Sequence, residues 1–97
     1  MNTDARYDVA IIGGGLAGLA LSIQCARAGF RTIVYEREHY PFHKVCGEYI
    51  SLESWNFLQD LGVPLSDMQL PVINRLMVTA PNGNSLESRL PLGGFGI

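Results

Sequence analysis

The sequence predicts an α/β fold, an incomplete Rossmann-like βαβ unit followed by an antiparallel hairpin, and three observations predict it. A strand-forming run, RYDVAII, stops abruptly at a cluster of glycines; a segment of helical period, LAGLALSIQCARAG, starts at Leu16; and a second β-branched run ends at Glu36. Strand, helix and strand follow one another within about thirty residues, the size of one right-handed parallel crossover.

Each element has its own signal. The strand at 6–12 ends in consecutive apolar residues, the pattern of a central strand buried on both faces. The helix at 16–28 places Leu16, Leu19, Ile23 and Ala26 at three- and four-residue steps, and Gly29 stands where a helix C-terminal glycine belongs. Thr32, Ile33, Val34 and Tyr35 give the second strand, 32–36. The stretch 37–50 mixes charge, aromatics, Pro41 and Gly47 without a period and reads as an ordered loop. Ser51 is a candidate N-cap for a helix at 52–61, where Leu52, Trp55, Leu58 and Leu61 share a face before Gly62 and Pro64 end it. A hairpin spans 72–90 around Pro81-Asn82-Gly83-Asn84, with Asn-Gly supplying the positive φ angles of a tight turn. The remaining GGFGI reads as a glycine-rich tail.

Composition narrows the function. Ninety-seven residues hold one domain at most, and 47% hydrophobic against 16% charged residues describes a globular chain. A net charge of -2 without a basic cluster excludes nucleic acid as the expected partner. Two cysteines, Cys25 and Cys46, make neither a disulfide framework nor a four-ligand zinc site, so a reducing compartment is expected. His39 and His43 flank Pro41 in the loop and have no third partner, so no metal is expected. Val9 to Ala26 carries no charge, yet its four glycines argue against a membrane span or signal segment, and the expected location is cytoplasmic.

The chemistry lies in Gly13-x-Gly15-x-x-Gly18 and Glu36. The glycines follow a strand and open a helix, and an acid ends the next strand, the context of an FAD/NAD(P)-binding fold. Gly13 serves the tight turn, Gly15 the approach of a pyrophosphate and Gly18 close helix–strand packing. Amides near Leu16 and Ala17 then face the phosphate charge at the helix N-terminus. Glu36 accepts hydrogen bonds from the adenosine ribose and repels a 2′-phosphate, favouring a dinucleotide with a free ribose. The motif leaves FAD and NAD unseparated.

Residues Tyr7 to Arg37 resemble the amino-terminal FAD-binding segment of flavoproteins of the p-hydroxybenzoate hydroxylase fold. The continuation PFHKVCGEYIS, Pro41 to Ser51, resembles the basic-x-Cys-Gly segment of the geranylgeranyl reductase family of FAD-dependent oxidoreductases. The resemblance implies FAD as cofactor. It also implies Arg37 beside the adenine or ribose, Lys44 near the pyrophosphate, and Cys46 with Gly47 near the flavin and substrate cavity. The Cys46 thiol has no activating His or second Cys beside it in sequence, so it is read as lining the pocket and the catalytic residue is left unassigned.

Such relatives act on isoprenoid and other hydrophobic molecules, so the resemblance implies a flavin-dependent oxidoreductase with a small isoprenoid-like or aromatic substrate. Flavin monooxygenases and halogenases share the fold and stay open as alternatives, as do an NAD-dependent dehydrogenase domain and a non-catalytic nucleotide-binding module. Expected partners are the remainder of the same polypeptide and an electron donor, NAD(P)H or another, with membrane contact only through a lipid-like substrate. The 97 residues are expected to be the amino-terminal part of a longer flavin-binding domain, marginally folded and inactive by themselves.

Overall fold

A computed structural model describes residues 5–44 and 47–97. The chain forms two compact units, Met1–His43 and Lys44–Ile97, rather than one body around one core.

In the first unit, β1 (Val9–Ile12), α1 (Leu16–Arg27) and β2 (Thr32–Tyr35) make the expected crossover. β1 and β2 pair in parallel, with Val9 opposite Thr32 and Ile12 opposite Tyr35. β1 is shorter than the predicted 6–12; just before it, Asp8 is tied to the chain entering β2, its carboxylate accepting from the Arg31 amide and its amide donating to the Arg31 carbonyl, both at 2.8 Å. The Gly29 amide donates to the Ala26 carbonyl at 3.1 Å, closing the end of α1 at the predicted glycine. β1 was expected to be buried on both faces, but its side chains alternate. Ile11 is buried, whereas Ile12 on the opposite face is 83% exposed. α1 covers one side of this two-stranded sheet, and β1 pairs among the described residues with β2 alone.

The second unit is an antiparallel sheet with a short α-helix and two 3-10 turns. β3 (Tyr49–Ser51) falls inside the predicted loop 37–50. A 3-10 turn, Leu52–Ser54, leads into α2 (Trp55–Asp60), so the predicted helix 52–61 is split. Ser51 caps the first turn as expected, its hydroxyl accepting from the Glu53 amide at 3.4 Å. A further 3-10 turn, Leu65–Asp67, precedes β4 (Val72–Thr79) and β5 (Ser85–Gly96).

The sheet order is β3-β5-β4, and this corrects the predicted end of the hairpin at residue 90. The GGFGI segment is the central part of the sheet: Phe95 lies opposite Ile50 on one side and Val72 on the other. Glycine makes this possible. A Cβ on Gly94 would strike the Ile50 carbonyl and lie 2.5 Å from the Tyr49 ring, so only a bare backbone fits beside β3. Gly93, at φ +76°, absorbs the irregular register near Ile73 and Arg75.

Phe95 is 1% exposed and meets the Trp55 ring edge-on at 5.1 Å. Leu58, Leu61 and Leu65 are the other buried side chains among the described residues of this unit; of the predicted face Leu52, Trp55, Leu58 and Leu61, Leu52 is exposed, because it lies in the 3-10 turn ahead of α2. The hairpin turn also differs in type. The Gly83 amide donates to Ala80 O at 3.0 Å and Ala80 N to Asn84 O at 2.8 Å, with positive φ at Gly83 and not at Asn82. That is a three-residue loop with glycine at its left-handed position, not a two-residue Asn-Gly turn.

Candidate functional site: the glycine loop and the acid at the end of the second strand

The loop from Ile12 to Leu16 turns the chain from β1 into α1. Gly13 takes φ +106°, a value that a side chain strongly disfavours, and its amide donates to the Tyr35 carbonyl at 2.7 Å. The loop is thereby tied to the end of β2. Gly18, one turn into α1, packs directly on the loop: a Cβ there would overlap the Gly13 carbonyl oxygen and lie 3.4 Å from Ile11 Cγ2. Gly13 thus makes a tight turn and Gly18 a close helix–loop contact.

Gly15 is the N-cap of α1, at φ −78° and ψ −170°. Any residue can adopt these angles, so backbone conformation does not demand glycine here. No side chain caps the helix and no acid stands in its first turn. The Leu16 and Ala17 amides have no intrahelical acceptor. The helix start thus presents N–H donors in a locally positive field, an arrangement that suits an anion.

Glu36, half-buried just past β2, faces this loop. Its Oε1 accepts from the Gly14 amide at 2.9 Å and its Oε2 from the Glu38 amide at 2.8 Å. The acid that the sequence assigns to the ribose is held at the glycine loop across 22 positions of sequence. Two backbone amides hold the carboxylate, whose oxygens are acceptors of the kind a ribose hydroxyl needs.

Sequence reasoning missed Tyr40. Its hydroxyl donates to the Gly14 carbonyl, and its ring meets Phe42 at 5.6 Å. The peptide groups on both sides of Gly14 are therefore held, one through its N–H by Glu36 and the other through its C=O by Tyr40. Gly14 occupies a variable position of the glycine motif, yet here a Cβ would overlap the Tyr40 hydroxyl and come within 3.0 Å of Glu36 Cβ. A third consecutive glycine after Ile12, with a tyrosine four residues beyond Glu36, was the available signal.

Of the remaining assigned residues, Arg37 is a surface side chain, 91% exposed, in a 3.5 Å ion pair with Glu38. Lys44 and Gly47 are exposed and belong to the second unit. Cys46 lies outside the described residues. Cys25 is half-buried on α1. Among the described residues no group of His, Cys, Asp and Glu could hold a metal, and no helix is long and apolar enough to cross a membrane. The uncharged stretch 9–26 is divided between β1, the glycine loop and α1.

Comparison with known proteins names the nucleotide. Residues 8–44 match the FAD binding domain family model. The chain is 34% identical over 85 residues to Conditioned medium factor receptor 1 of Dictyostelium discoideum, covering 84% of this chain and 17% of that protein. It is 38% identical over 63 residues to Menaquinone reductase of Mycolicibacterium smegmatis, covering 65% of this chain and 15% of that protein. A flavin-dependent brominase superposes with a TM-score of 0.71 at 24% identity, covering 95% of this chain and 24% of the other.

The chain thus spans less than a fifth of the length of these curated relatives. The α/β fold is shared with a flavin-dependent brominase, and residues 8–44 match an FAD binding domain. FAD, not NAD, is its cofactor. The geometry fits: a glycine loop without side chains, helix amides that have no intrahelical acceptor and an acid on the same loop suit the ADP half of that molecule.

Proposed function

We propose that the protein is an FAD-dependent oxidoreductase of the geranylgeranyl reductase type, acting on a small hydrophobic substrate of isoprenoid-like or aromatic character. The observation that carries the reading is the glycine loop with Glu36 bound to it, within a segment that matches an FAD-binding domain. The similarity to a menaquinone reductase supports a hydrophobic substrate. Gly15, Leu16 and Ala17 would receive the pyrophosphate, Glu36 the adenosine ribose, and Arg37 the adenine side. Lys44 would approach the pyrophosphate, and Cys46 with Gly47 would line the cavity near the flavin, as the family resemblance implies. The flavin, when bound, supplies the redox chemistry; this chain's part is to hold its ADP half in one orientation.

The test is a visible spectrum of the protein expressed from its full gene, with the released nucleotide identified after denaturation. Stoichiometric FAD that is bleached by NAD(P)H or another donor, and recoloured by a hydrophobic alkene or quinone under nitrogen, is the expected result. Recolouring by oxygen alone, with a hydroxylated or halogenated product, would replace the reductase reading with a monooxygenase or halogenase. Bound FAD that no donor reduces would make the protein a binding module.

A further inference from the structure

We infer that Tyr40 is a positioning residue for the pyrophosphate of the dinucleotide, acting through the peptide that joins Gly14 to Gly15. The inference rests on the FAD reading and adds a residue to it.

Three features of Tyr40 lead there. Its hydroxyl donates to the Gly14 carbonyl from a point 26 residues along the chain. A trans peptide is planar and sets C=O and N–H on opposite sides, so holding the Gly14 oxygen turns the Gly15 N–H away from Tyr40. The Gly15 amide is the donor beside the first amides of α1, and Glu36 already holds the peptide before it through Gly14 N–H.

The rest of the side chain is not core packing. Tyr40 is 56% exposed, and its ring leans on Phe42 rather than into an apolar centre. A large aromatic left mostly in solvent, with its polar end on one loop carbonyl, contributes orientation more than burial. Gly14 records the same fit from the other side, since a methyl group there would displace the Tyr40 hydroxyl. Glu36 and Tyr40 together fix two consecutive peptides before any ligand arrives, and that preorganisation is worth affinity.

Tyr40→Phe removes the hydroxyl alone. In the protein expressed from its full gene, the Kd for FAD and the inhibition constant of ADP should each rise about 3- to 10-fold, the loss of one hydrogen bond. The inhibition constant of adenosine, which has no phosphate, should not change, and the melting temperature of the apo-protein should stay within about 2 °C, as for a surface substitution. Unchanged FAD affinity in Tyr40→Phe overturns the inference, as does an equal loss of adenosine and ADP, or a variant that fails to fold. If the unaltered protein binds no FAD, the FAD reading itself fails and the inference falls with it. Wild-type binding with an indifferent Tyr40→Phe removes the inference alone.

Discussion

The carboxylate of Glu36 closes on the peptide nitrogen of Gly14 at 2.9 Å, joining the end of β2 to the turn between β1 and α1. The acid proposed to hold the ribose and the loop proposed to receive the phosphate are therefore one hydrogen-bonded piece. Replacing Glu36 with Ala removes the contact to Gly14 and, on the proposed function, the acceptor for the ribose, and FAD affinity should fall about 10- to 100-fold, the range for hydrogen bonds to a charged group. Glu36→Gln keeps one oxygen acceptor and should lose less; titration of FAD into the two apo-variants orders them.

Gly18→Ala places a methyl group on the Gly13 carbonyl, where backbone rather than a movable side chain receives it. Helix α1 must shift away from β1, at a cost of about 1 to 3 kcal/mol. Denaturant titration of the apo-protein should show the loss, and retained FAD should fall in parallel because the loop moves with the helix.

Phe95→Ala should be among the most damaging substitutions in the second unit. It empties a position that is 1% exposed and leaves the Trp55 ring without its partner, a change that costs about 3 to 5 kcal/mol. Tryptophan fluorescence followed through urea titration reports it directly, Trp55 being the sole tryptophan of these 97 residues.

Gly94→Ala tests the close approach of β3 and β5. Its methyl group meets the Ile50 carbonyl and the Tyr49 ring, so the pairing of Tyr49–Ser51 should open. Hydrogen exchange should rise at Ile97, whose amide donates to the Glu48 carbonyl at 3.1 Å, and stay unchanged at the far end of the hairpin, Val78 to Ser85.

Arg75→Ala should be nearly silent. Arg75 and Glu87 pair at 3.0 Å across the hairpin, but both side chains are well exposed, at 69% and 46%. An exposed pair of this kind contributes about 0 to 1 kcal/mol. A shift of several degrees in melting temperature would show that Arg75 does more than line a polar surface cleft.

The βαβ unit and its motif were legible because their signals are local: a strand run, three spaced glycines, a helical period and an acid in one short stretch. What Glu36 touches was not, since its partner lies 22 residues back and depends on how the crossover closes. Tyr40 was hidden for the same reason, reading as one more aromatic in a mixed loop. GGFGI was misread because glycine is depleted in strands, and its place depends on Tyr49 and Ile50 passing too close for a side chain. Ile12 was read as core, but its side chain on the face opposite Ile11 is exposed among the described residues.

The central place of β5 sets an order of assembly on the ribosome. β1 and β2 meet across about 23 residues of chain, while β3 must wait about 47 residues for Gly94 to Gly96 to be synthesised. The nucleotide loop can therefore take shape while Tyr49 to Ser51 are still unpaired. During that interval the nascent chain exposes a strand without its mate, and the segment around Tyr49 is where a chaperone would have its opening.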